Sequence, residues 1–223
     1  MPSLALAAGL AQSANILRET GNRVVGIPEI AGSLAGSRRP KKLRIRVVVL
    51  RDEQGQAVAA PEDVEPSLVE ARRVLRETLA IELLSAAEPM VTTLEVPAPP
   101  SALDSPCAEG SLKADFGDGG AFFRRHVERG TISGSRGPIT VFVVREVLGK
   151  AGCSLGPLVD HVTVDKSAFE GKRLRVLAHE LGHACGLPHS NAPENLMLPK
   201  GIGERLQPWQ IAVFRSSRHV TAK

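Results

Sequence analysis

The chain predicts an α/β or α+β fold, a sheet flanked by helices. An early amphipathic helix crosses between two stretches of strand character, and two further strand-like stretches then feed a histidine-bearing helix. The order read along the sequence is strand, helix, strand, loop, strand, strand, helix, turn, helix. No internal repeat is visible. With 223 residues and 43% hydrophobic content, the chain is long enough for one sizeable core. Only seven residues are aromatic (six Phe, one Trp, no Tyr), so that core must be built from Val, Leu, Ile and Ala.

Each element has its own signal. Residues 4–19 fit an amphipathic helix. The apolar run at 4–11 also resembles the core of an export signal, but no Lys or Arg precedes Arg18. Residues 20–40 hold Gly, Pro, Ser and Arg without a sustained period and read as a linker, so residues 1–40 are expected to be an extension and 41–223 the working domain. Residues 43–50 are rich in Val and Ile, with Arg44 and Arg46 alternating at the start, a strand buried in its second half. Leu68, Ala71, Leu75, Leu79 and Leu83 recur at helical spacing behind Pro66, predicting a helix of about five turns over 66–84. Residues 91–96 alternate between Pro89 and Pro97 as a second strand.

Residues 97–118 are rich in Pro, Ser and Gly and predict a long surface loop. A short helix is expected over 121–128, with Phe122, Phe123 and Val127 inward and His126 structural or solvent-facing. Residues 139–144 form the clearest buried strand, and residues 162–164 form another. Helical character runs from about Gly171 through Leu181, and residues 206–218, with Pro208 in the first turn, close the chain as a helix.

The chemistry concentrates in residues 179–189, His-Glu-Leu-Gly-His-Ala-Cys-Gly-Leu-Pro-His. On a helix His179 and His183 share one face, one turn apart, so two imidazoles reach a single ion and Glu180 faces the space beside it. A continuous helix would carry His189 about 15 Å along its axis, out of reach. Gly186 tolerates the left-handed conformation that ends helices, and Pro188 forbids continuation, so the chain can turn back. Three neutral histidines with one open position are a catalytic zinc arrangement, not a closed structural one.

At these residues the sequence resembles the metzincin clan of zinc endopeptidases, with Asn195-Leu196-Met197 as the methionine turn that follows the motif. Ser190 after the third histidine, and the short run to Met197, look most like the matrixins. The resemblance covers residues 172–214. It implies a twisted mixed sheet above a cleft, with a small methionine-turn subdomain and the last helix below. It also implies a single zinc on His179, His183 and His189, with Glu180 as general base and Met197 as the floor beneath the metal. In the family an edge strand binds an extended peptide, and by position this points at residues 151–158, although their Gly and Pro content weakens the strand signal; individual substrate-binding residues are unassigned. A secreted or extracytoplasmic location and a monomer acting on peptide or protein substrates complete the expectation. The chain departs from the family in lacking tyrosine, a second zinc site and an N-terminal cysteine switch.

Other classes are weaker. The basic run Arg38-Arg39-Pro40-Lys41-Lys42 lacks the interleaved aromatics of a nucleic-acid surface and reads as a solvated lead-in to a strand. No apolar run reaches the 18 or so residues of a membrane span. Asp115 and Asp118 near Gly117 are compatible with calcium but lack a full calcium-loop pattern. A zinc-binding recognition module without turnover is the principal alternative, and the intact Glu180 argues against it. Of three cysteines, Cys107 and Cys153 lie in loop-like stretches and are expected to pair if the chain is exported, leaving Cys185 free on the histidine helix.

Overall fold

A computed structural model describes residues 39–107, 117–127 and 137–222. The expected helix over 4–19, the linker up to residue 38 and Asp115 therefore lie outside the described residues.

β1 (Lys41–Arg51) is the axis of the sheet. Along one edge it pairs in parallel first with β2 (Ile81–Ser85) and then with β3 (Val91–Pro97). Along its length it also pairs with β5 (Ile139–Val144) in parallel and with the terminal β9 (Val220–Ala222) antiparallel. β8 (His161–Asp165) lies parallel to β5, and β7 (Gly152–Ser154) closes the order antiparallel to β8. The sheet is thus mixed, as expected, and has seven strands where the sequence reading found four. Two residues each of β4 (Asp104–Ser105) and β6 (Glu146–Val147) make a small second sheet.

Strand periodicity splits the core in two. Leu43, Ile45, Val47 and Val49 face one side, where they meet α1 (Glu65–Leu79), α4 (Val176–Ala184) and α5 (Pro208–Ser216). Val48 and Leu50 face the other, packing with Phe142, Leu103 of the short α2 (Pro100–Leu103), and Phe122 and Phe123 of α3 (Asp118–His126). The all-buried pattern of β5 follows from lying between these layers.

Several boundaries differ from the sequence reading. The helix expected over 66–84 ends at Leu79, and Leu83 belongs to β2. Ala80, at φ 52° and ψ 42°, turns the chain by a left-handed residue, and the buried Arg215 donates to the Leu79 carbonyl (2.6 Å) and the Arg39 carbonyl (2.7 Å). A helix end capped this firmly from another element overrides continued helical spacing. The loop expected over 97–118 contains α2 and β4, and the segment with weak strand signals does hold a strand, β7. Cys107 is joined to Cys153 of β7 by a disulfide with Cα atoms 5.6 Å apart, the predicted pair, and Cys185 is free and buried.

Ala80 supplies a stability test. A left-handed residue at a helix end favours glycine, so Ala80→Gly should raise unfolding stability by about 0.5–1 kcal/mol. Urea denaturation measures this; a loss of stability would show that the Ala80 methyl packs favourably enough to outweigh its backbone cost.

Candidate metal centre

α4 is short because its sequence makes it so. A 3₁₀ turn (Gly171–Arg173) leads into it, and Gly186, at φ 94°, ends the descent. The Leu187 N–H donates to the Gly182 carbonyl (2.9 Å), which reverses the chain as predicted from Gly186 and Pro188. His189 returns toward the helix. Nε2 of His183 lies 3.2 Å from Nε2 of His179 and 3.1 Å from Nε2 of His189, and all three ligand atoms fall within 4.8 Å of one another.

Protonation follows from the other ring nitrogens. Nδ1 of His179 lies 2.7 Å from the Leu196 carbonyl, and Nδ1 of His183 lies 2.7 Å from the Leu187 carbonyl. A carbonyl only accepts, so each Nδ1 carries a hydrogen, and in its neutral form each ring turns a lone pair at Nε2 inward. Burial, the largest influence on His179, lowers its pKa to about 4 and keeps it neutral. With both hydrogens on Nδ1, the Nε2 lone pairs of His179 and His183, 3.2 Å apart, repel unless a cation lies between them. A tetrahedral zinc with bonds of about 2.0–2.1 Å holds its ligand nitrogens roughly 3.3 Å apart, so the donor set fits that ion.

The methionine loop fixes the floor. Asn195 Oδ1 accepts from the Met197 N–H (2.9 Å) while its Nδ2 donates to Gln210 of α5 (2.7 Å), and the Ser190 N–H donates to the Met197 carbonyl (3.0 Å). Met197 is buried beneath α4. A Cβ on Gly182 would lie 2.6 Å from Met197 Sδ, so only glycine lets helix and methionine approach this closely. Arg175, just before α4, donates from Nη1 to the Leu196 carbonyl (2.6 Å), from Nη2 to the Leu198 carbonyl (2.8 Å) and from Nε to the Gly201 carbonyl. The carbonyl that orients His179 is thereby held by Arg175 as well.

Glu180 is buried beside the histidines, against β7. A Cβ on Gly152 would meet Glu180 Cγ at 2.7 Å and Val176 Cγ1 at 2.8 Å, so the strand backbone itself walls in the carboxylate. A cleft of about 740 Å³ opens from these residues, lined by Gly152, Val176, His179, Glu180 and His189 and, on its lower side, by Pro199–Ile202.

Every residue predicted for the site is brought together here: His179, His183, His189, Glu180, Gly186 and Met197. His126 stays apart, with its Nδ1 2.8 Å from the Phe122 carbonyl and its ring against Phe122. Asp118 begins α3, and among the described residues the three histidines are the one metal-competent cluster. Cys185 is not among the clustered ligand atoms, and burial pushes its thiol up to about 12. Arg175, Gly152 and Gly182 escaped the sequence reading. Gly182 stands inside the motif, but its meaning is a contact with a residue fifteen positions away.

The matrixin family model matches residues 159–206, the stretch from β8 through the methionine loop. No curated protein sequence matches the chain. Among solved structures, metalloproteinase-II of Bacteroides fragilis is 12% identical with a TM-score of 0.42, over 76% of this chain. This chain spans only 49% of that protein's length. Archaemetzincin of Methanopyrus kandleri is 13% identical with a TM-score of 0.43, covering 79% of this chain and 88% of the other. The matched signature and the histidine cluster fit a metzincin-type zinc site, carried on an α/β sheet flanked by helices.

Gly152→Ala tests the packing around Glu180. Forcing a methyl against Glu180 and Val176 should cost about 1–3 kcal/mol of stability by urea denaturation, with bound zinc per chain unchanged because no ligand moves. A neutral substitution would mean that the strand does not press on Glu180.

Proposed function

We propose that this protein is a matrixin-like zinc endopeptidase, and that residues 41–223 are its catalytic domain, acting as a monomer. The observation that carries the reading is the convergence of three inward imidazole nitrogens next to a buried glutamate in an open cleft. A recognition module needs no such base.

His179, His183 and His189 would hold zinc, which when bound polarises the scissile carbonyl and brings the pKa of a water toward about 7. Glu180 sits one residue from the first ligand and lines the same cleft. It takes the proton of the attacking water and delivers it to the departing amine nitrogen. The closeness of Gly152 restricts where the carboxylate can turn. β7 ends the sheet beside α4, and an extended peptide adds to it as a further strand, directing its scissile bond toward Glu180. Among the described residues no helix is long and apolar enough to cross a membrane, and the Cys107–Cys153 disulfide suits an oxidising, extracytoplasmic compartment.

Glu180→Gln preserves size and hydrogen bonding but cannot accept a proton at neutral pH. Peptide hydrolysis should fall about 10²–10⁴-fold with zinc content and melting temperature nearly unchanged, read by mass spectrometry of a peptide library and by elemental analysis. Equal cleavage by both proteins would remove Glu180 as the base. Zinc binding without cleavage by the wild type would leave a recognition module.

A further inference from the structure

The cleft carries an imbalance of charge that zinc chemistry does not require. Its walls hold five cationic side chains (Lys150, Lys172, Arg173, Arg175 and Lys200) against three carboxylates, Glu146, Asp165 and Glu180. Glu204 and Glu180 act electrostatically on the buried Arg175, and among the described residues no carboxylate forms an ion pair with Lys172, Arg173 or Lys200. Asp165 spends its oxygens on the Val147 N–H (3.2 Å), the Ser167 N–H (2.8 Å) and the Ser167 hydroxyl (2.6 Å). Glu180 belongs to the proposed reaction. Two acids of the loop below are engaged elsewhere, Glu194 with Arg205 and Glu204 with Arg73, each at 2.6 Å.

Three of the cations are exposed and free to meet a ligand. Lys172, Arg173 and Lys200 form no ion pair among the described residues, and Arg173 donates from Nη1 to the neutral Ser167 hydroxyl (2.7 Å). They come from two segments. Lys172 and Arg173 belong to the turn entering α4, and Lys200 to the methionine loop, which Arg175 ties to that turn through the Leu196, Leu198 and Gly201 carbonyls. The start of α4 adds to the same field, with no acidic residue in its first turn and no side-chain cap.

Resting on the peptidase reading, we infer that Lys172, Arg173 and Lys200 select peptides that carry an acidic side chain close to the scissile bond. An Asp or Glu entering there gains from cations already placed and spares the protein their mutual repulsion, whereas a Lys or Arg at the same position adds to it.

The test separates binding from turnover. Zinc-loaded Glu180→Gln protein is titrated with three fluorescent mixtures of random decapeptides, identical except for a central Glu, Gln or Lys. Binding should be about tenfold tighter for Glu than for Gln at low salt, as a few partly exposed charge contacts supply. The difference should largely vanish near 0.5 M NaCl, where screening is short-ranged. Replacing Lys172 and Lys200 with Gln should abolish the preference, and replacing all three cations with Glu should reverse it toward Lys, with circular dichroism verifying the fold. Equal affinity for the three mixtures overturns the inference, as does a single-stranded oligonucleotide that displaces the Glu mixture at lower concentration than unlabelled Glu peptide. Wild-type cleavage of all mixtures at one rate would leave the peptidase and overturn the selectivity. Preferential binding of Glu peptides with no cleavage by the wild type would do the opposite.

Discussion

The Leu196 carbonyl is the junction on which the site depends. It accepts from Nδ1 of His179 and from Arg175 at once, so one oxygen fixes the tautomer of a metal-ligand candidate and anchors the loop beneath it. Remove that shared acceptor and the ring is free to turn its lone pair away, while a buried guanidinium loses a partner, a costly event in a low-dielectric setting. The Leu187 carbonyl does the same for His183 from the opposite side, at the turn made by Gly186. Backbone oxygens, set by loop geometry, thus aim the imidazoles.

The larger fold serves that aim. β5 and β8 run side by side, and β8 leads through short turns into α4, whose apolar residues Leu177, Ala178, Leu181 and Ala184 pack into the core beneath the sheet. β7 lies across the glutamate, and α5 holds the methionine loop through Gln210 and Asn195. Each wall of the cleft is therefore attached to a buried element, which suits a site whose parts must stay within fractions of an ångström of one another. The exposed cations at its rim are the part left open to solvent and to a ligand.

Much of this was legible beforehand. The histidine spacing, Gly186 and Pro188 dictated the helix, the reversal and the return of His189. Val and Ile runs marked β1, β5 and β8. What the sequence hid depends on partners distant in the chain. Leu83 continues the helical spacing of α1, yet Ala80 turns left-handed where Arg215 caps the helix from far along the sequence. β9 is three residues long, too short to leave a pattern, and exists because β1 offers it an edge. Arg175 reads as an ordinary charge before a helix, since backbone acceptors have no side-chain signature. Gly152 looks like a strand breaker, and only the approach of Glu180 explains why a strand tolerates it there.

The central claim is that three imidazoles of one chain bind one zinc and leave a position open. X-ray absorption at the zinc edge of the purified, zinc-loaded protein tests it most directly. The account predicts one zinc per chain in a shell of nitrogen and oxygen at about 2.0–2.1 Å, with the multiple-scattering pattern of three imidazoles and no sulfur. A sulfur shell near 2.3 Å, or fewer than three imidazoles about the ion, would contradict it.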